Sequence, residues 1–130
     1  MVDGDEAISA AIRGELEEGL RSLASRRDFE GRVTESTNDN FGRTTFELAG
    51  RYAEFPDREV MLVVELDPAR KGWRLDADLY EYPDSEDQVQ LFRGLGGSRD
   101  IYVELAIESG RGLARAGWAA MLLYPTRHSE

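Results

Sequence analysis

Apolar residues recur at two different periods along this chain, and the changes of period divide it into elements. Ile8, Ile12, Leu16, Leu20 and Leu23 follow one another at helical spacing, with Ala11 and Ala24 beside them. That spacing lines one face of an amphipathic helix. Arg13, Glu17, Glu18 and Arg21 occupy the opposite face. Asp3 followed by Glu6 is close to a capping box. A helix is therefore predicted over about residues 4–26, its stripe turned to the core.

The period then falls to two. Strands are predicted at about 31–37, 43–52, 59–67 and 72–80, where β-branched, aromatic and aliphatic residues dominate and, most clearly in the last, alternate with polar ones. Asn38-Asp39-Asn40-Phe41, Ala53 to Asp57 and Pro68-Ala69-Arg70-Lys71 supply the turns between them. Opposing apolar residues fixes a register for each hairpin. Pairing Thr37 with Gly42 sets Val33 against Phe46 and Arg32 against Glu47. Leu48 then meets Leu62, Phe46 meets Val64, and Arg51 meets Glu59. Pairing Asp67 with Gly72 sets Leu66 against Trp73, Val64 against Leu75 and Glu65 against Arg74. Each hairpin gains an opposite-charge pair outside and apolar pairs inside, so an antiparallel meander is expected.

Beyond Tyr82-Pro83 the pattern changes. Ser85 with Gln88 has the form of a capping box, and a short helix is read at 86–93, ended by Gly94. Gly94 to Ser98 reads as a flexible connection. Ile101, Val103, Leu105 and Ile107 alternate with more polar residues, which is a strand period, with helix as the alternative. A last helix is expected at about 111–122, stopped by Pro125. The fold class is α+β: one domain over 1–130, an N-terminal helix on a four- or five-stranded antiparallel sheet, and one or two further short helices in the C-terminal third.

Composition narrows what such a domain does. Of 130 residues, 41% are apolar and 32% charged, which suits a packed globular chain. The formal charge is −10, a field that repels phosphate backbones and argues against nucleic acid. Lys71 is the only lysine, and cysteine is absent, which excludes thiolate catalysis and thiolate metal sites. The acidic N-terminus lacks the order of a signal peptide, and the longest apolar run, Trp118 to Tyr124, is too short to span a bilayer. A cytoplasmic protein is the expectation, without a membrane role.

Candidate chemistry is thin. His128, the sole histidine, lies in the tail, so no base stands ready for a serine nucleophile. Gly110-Arg111-Gly112 could open a dinucleotide loop, but Arg115 stands where a third glycine belongs. Asp76 and Asp78, with Glu65 and Glu47 on neighbouring strands, form a carboxylate group that reads as a solvated face rather than a metal or acid–base site. No catalytic residue, metal or cofactor is assigned.

One feature of the pattern departs from a water-facing sheet. Met61 and Val63 fall on the outer face at mid-sheet, ringed by Glu47, Asp76, Asp78 and Tyr80. Such positions are covered by one of the chain's own later helices, by a different protein, or by a second copy. An apolar centre inside a charged rim has the anatomy of a protein interface. The sequence therefore points to a non-enzymatic protein-binding module, with Glu47, Met61, Val63, Asp76, Asp78 and Tyr80 holding a basic or amphipathic protein partner. In size, acidity and order of elements the chain is loosely similar to small secretion chaperones, on architecture alone and without a shared motif. The rival reading is a ligand-binding or enzymatic domain with an apolar pocket lined by Phe46, Trp73, Leu75 and Trp118.

The charge makes a prediction of its own. Like charges on the folded chain repel, and salt screens them over about 10 Å at 0.1 M. Thermal melts should shift upward from low to moderate salt. A midpoint that stays flat or falls would show that ion pairs outweigh the net repulsion.

Overall fold

The computed structural model describes residues 4–38, 42–69, 72–82, 89–93 and 102–128. Helix α1 spans Gly4–Arg27. Strands β1 (Phe29–Asn38), β2 (Arg43–Tyr52), β3 (Glu59–Ala69), β4 (Gly72–Tyr82) and β5 (Val89–Arg93) follow, and α2 covers Val103–His128. The strands lie in sequence order in one antiparallel sheet.

Both helices pack on the same face of the sheet. α1 lies over β1 and β2, α2 over β3 and β4, and the two helices touch along their length. Ile8, Ile12, Leu16 and Leu23 of α1 meet Phe46, Leu48, Leu62, Val64, Leu66, Leu75 and Leu79 of the sheet in one continuous core. α2 adds Ala106, Leu113, Ala114 and Met121 to it. Asp28 ends α1 in the left-handed conformation, φ 52°, a cap more often formed by glycine. Close approach of the helices depends on residues without side chains. A methyl group at Gly19 would run into Trp118, one at Gly110 into Ile12 at 2.8 Å, and one at Gly117 into Leu62.

The predicted first helix and the sidedness of β1 to β4 hold, with Leu62 inside and Met61 outside. The β2–β3 register is the expected one, with Leu48 opposite Leu62 and Phe46 opposite Val64. It stops at Gly50–Val60, one pair short of Arg51 and Glu59. The other two hairpins are displaced by two residues, a shift that preserves faces and changes partners. In β1–β2, Val33 meets Leu48, Arg32 meets Ala49 and Thr34 meets Glu47. Gly42, at φ 68°, belongs to the turn and not to the ladder, which moves the first pair to Asn38–Arg43. In β3–β4, Leu66 meets Leu75, Asp67 meets Arg74, and Pro68 meets Trp73. Pro68 is thus inside a strand, where a turn was expected. It is tolerated because the β2 ladder ends at Leu66, so no neighbour on that side needs its missing N–H.

The C-terminal third departs further. The described part of the helix expected at 86–93 is strand β5, Val89–Arg93, which closes the free edge of β4. A segment this short gains more from a ladder than from an isolated helical turn. The Ser85–Gln88 cap and the Gly94–Ser98 connection lie outside the described residues. Of the strand expected at 101–108, residues 103–108 are instead the start of α2, which absorbs the separate helix expected at 111–122, while residue 101 lies outside the described residues. Val103, Ala106, Ile107, Gly110, Leu113, Ala114 and Gly117 face the core at helical spacing. The alternation that suggested a strand came from Leu105, which points to solvent at 54% exposure. Gly110-Arg111-Gly112 accordingly lies within a helix and makes no strand-to-helix loop.

Pro125 does not end α2 but sits inside it. Proline removes the N–H that would have reached the carbonyl four residues back, that of Met121. The buried Tyr52 hydroxyl donates to this carbonyl in its place. Tyr52 is held there by Tyr124, stacked at 5.4 Å, and by Phe29, edge-on at 4.9 Å.

Removing that hydroxyl tests the arrangement. Tyr52→Phe strands a buried carbonyl and should cost about 1–3 kcal/mol in denaturant titration. Burial, reinforced by Glu54 and opposed by Arg27, raises the Tyr52 hydroxyl above its ordinary pKa of 10.0. The unfolded chain then releases this proton before the folded one does, so stability is complete below pH 10.0 and falls above it. The fall should be shallower in Tyr52→Phe. Equal alkaline slopes in the two proteins would exclude Tyr52 as its source.

Candidate functional site

With both helices on the inner face, no described element of the chain covers the outer face of the sheet. Its side chains form rows across the strands. Ala49, Met61 and Tyr80 are successive partners in one row, and Glu47, Val63 and Asp78 in the next. Thr45, Glu65 and Asp76 make the third. Alternation along each strand places these residues outward, because their neighbours Phe46, Leu48, Leu62, Val64, Ala77 and Leu79 fill the core.

All six expected partner-site residues lie on this face. Glu47, Met61, Val63, Asp76 and Tyr80 are half-buried. Asp78 is only 6% exposed, the most enclosed of the six, and so offers little surface to a partner. The two-residue displacement of β4 brings Tyr80 beside Met61, where the expected register had Asp78. Tyr82 then stacks on Tyr80 at 6.3 Å and lengthens the apolar strip. Tyr82 was not singled out from the sequence, although its spacing of two from Tyr80 fixes it to the same face. Partial burial, with the nearby charges of Glu47 and Glu59, lifts its hydroxyl above the ordinary pKa.

Beside this strip lies a denser group of charge. Carboxylate oxygens of Glu65, Asp76 and Asp78 come within 4.8 Å of one another. Arg43 partly offsets them, 3.7 Å from Glu65 and 3.4 Å from Asp67. The Ala77 amide donates to Asp76 at 2.9 Å. Such oxygen donors suit a hard divalent cation, and the basic side chain alongside gives them a neutralising partner within the chain.

The rival pocket finds no counterpart among the described cavities. Phe46 and Leu75 are fully enclosed core residues. The Trp73 indole N–H donates to Asp5, and Trp118 fills the space over Gly19. The largest described cavity, about 580 Å³, is a surface cleft between the end of α1 and the β2–β3 turn, lined by Asp28, Phe29, Arg51 and Tyr52 among others. No described helix is long and apolar enough to cross a membrane.

Comparison with known proteins supplies no relative: no family model, curated protein or solved structure matches the chain.

Glu65 and Asp76 face one another directly across the β3–β4 ladder, a like-charge pair that opposes folding. Asp76→Asn keeps an oxygen for the Ala77 amide and removes the repulsion. It should raise stability by about 0.2–1 kcal/mol in denaturant titration. A loss of stability would show that the ionised carboxylate is needed where it stands.

Proposed function

We propose that the protein is a non-enzymatic protein-binding module, an inhibitor, immunity factor or chaperone-like adaptor, that holds a basic or amphipathic segment of a partner on the outer face of its sheet. One observation carries this reading. Both described helices lie on the inner face, and Met61 and Val63, flanked by Ala49, Tyr80 and Tyr82, lie on the other.

Carboxylates border that strip through Glu47, Glu65 and Asp76, and the chain as a whole carries −10. An approaching cationic segment would be steered by the border, while contact with the strip would hold it. Asp78, being enclosed, adds field rather than contact. A peptide alternating leucine and arginine presents both features and serves as the probe.

Met61→Asp separates contact from charge. An added acid strengthens any purely electrostatic capture of the cationic peptide, whereas loss of the apolar centre weakens a docked complex. The expected result is a folded variant, by circular dichroism, that binds the peptide at least about tenfold more weakly. Asp76→Asn should instead slow association and flatten its salt dependence. A folded Met61→Asp that binds as well or better would overturn the reading. Unfolding of this variant would do so too, because it would mean that Met61 is already covered.

A further inference from the structure

α2 carries a second unpartnered surface, on the side away from the core. Leu105, Ser109, Gly112, Ala116, Ala119 and Leu123 recur at steps of four and three along it. Leu105 and Leu123 are separated by about five turns and so point in the same direction. Not one of these positions is charged, in a chain where 32% of residues are. Leu105 is 54% exposed and Leu123 58%, and Tyr102, just before the helix, is 77% exposed. The core-facing residues Gly110, Leu113, Gly117 and Met121 lie on a different side. The exposed leucines therefore serve no packing purpose within the described residues.

We infer that this face of α2 binds a second copy of the same chain, helix against antiparallel helix. The reason is self-complementarity. A two-fold axis level with Ala114, but on the opposite side of the helix from that buried residue, places Leu105 next to Leu123 of the second copy, Ser109 next to its Ala119, and Gly112 next to its Ala116. A two-fold interface requires such reciprocity of one patch with itself. The leucines meet leucines at both ends, and the small residues between them let the helices come close. Nothing lies within 4 Å of where a Gly112 side chain would begin, so that space is open to a neighbour.

Charge agrees with the antiparallel choice. The N-terminal turns of α2 carry Glu104 and Glu108, while the last turns carry Arg127 and no acid. Antiparallel docking keeps the Glu104 and Glu108 of one copy at the far end from those of the other, where parallel docking would set them side by side, and it opposes the two helix dipoles favourably. Arg111 and Arg115, nearer the axis, are already engaged, Arg111 with Glu108 at 3.6 Å and Arg115 with Glu15 at 2.9 Å. The patch between the two leucines is about 27 Å long, which makes a small interface. Dimerisation should accordingly be concentration-dependent. The surface is independent of the sheet face, and neither reading rests on the other.

Sedimentation equilibrium of the full chain tests this. The wild type should show a reversible monomer–dimer equilibrium with a dissociation constant of roughly micromolar order. Leu105→Glu and Leu123→Lys should each weaken it by about tenfold or more. Combined in one chain they should restore it, because the antiparallel arrangement sets each Glu against a Lys. A wild type still monomeric at about 500 µM would overturn the inference. So would single variants that associate as tightly as the wild type, or a double variant no tighter than the singles. A variant that loses its helical signal is replaced by Ala119→Glu on the same stripe, and the wild-type mass decides in either case.

Discussion

The closeness of α2 to the sheet and to α1 is the constraint from which the rest follows. Leu62 at mid-sheet presses on the backbone of Gly117, Trp118 lies over Gly19, and Ile12 sits against Gly110. Three bare backbone patches thus let two long helices share one side of a five-stranded sheet. That sharing concentrates the core in one layer, where Ile8, Ile12, Leu16, Leu62 and Leu75 are all fully enclosed. It also empties the other layer. A sheet with helices on both faces would have hidden Met61 and Val63, and this one has no described helix left to do so.

The same glycines show why part of the fold was hard to read. In a list of intrinsic propensities, glycine argues against helix. At Gly110 and Gly117 it is instead the condition for packing a helix tightly, and only the neighbouring chain reveals that. Leu105 misled in the opposite way, completing an alternation that belongs to no strand. By contrast, α1 was legible almost to its ends, because a long stripe at one period has no competing interpretation. Faces of the strands were legible for a similar reason, since burying apolar residues fixes parity. Exact partners were not, because a displacement by two satisfies parity equally well. The choice fell to Gly42 and to the tolerance of Pro68 beyond the end of β2, both matters of local backbone that alternation does not encode.

The candidate site was legible in outline for the same reason. Parity alone placed its six residues on one face. The order of residues along it depended on the displacement, which put Tyr80 beside Met61, and on the unexpected β5, whose Arg93 pairs with the enclosed Asp78. The resulting surface is more apolar along one line, and more acidic in one corner, than the sequence reading implied. Segregation of this kind gives a partner an orientation as well as a place. An amphipathic strand or helix laid along the strip can meet the acidic corner with one end only.

The proline inside α2 has a consequence for how this chain can vary over time. Tyr52 and Pro125 are far apart in sequence, yet the hydroxyl of one answers the carbonyl freed by the other. Each is tolerable because of its counterpart. A lineage that lost the proline would regain the helical N–H, and the tyrosine would then be free to drift to phenylalanine. One that lost the hydroxyl first would carry a stranded carbonyl until the proline followed. The order of substitution is therefore not symmetric, and among descendants of this sequence the two positions are expected to change as a pair, with the helix yielding first.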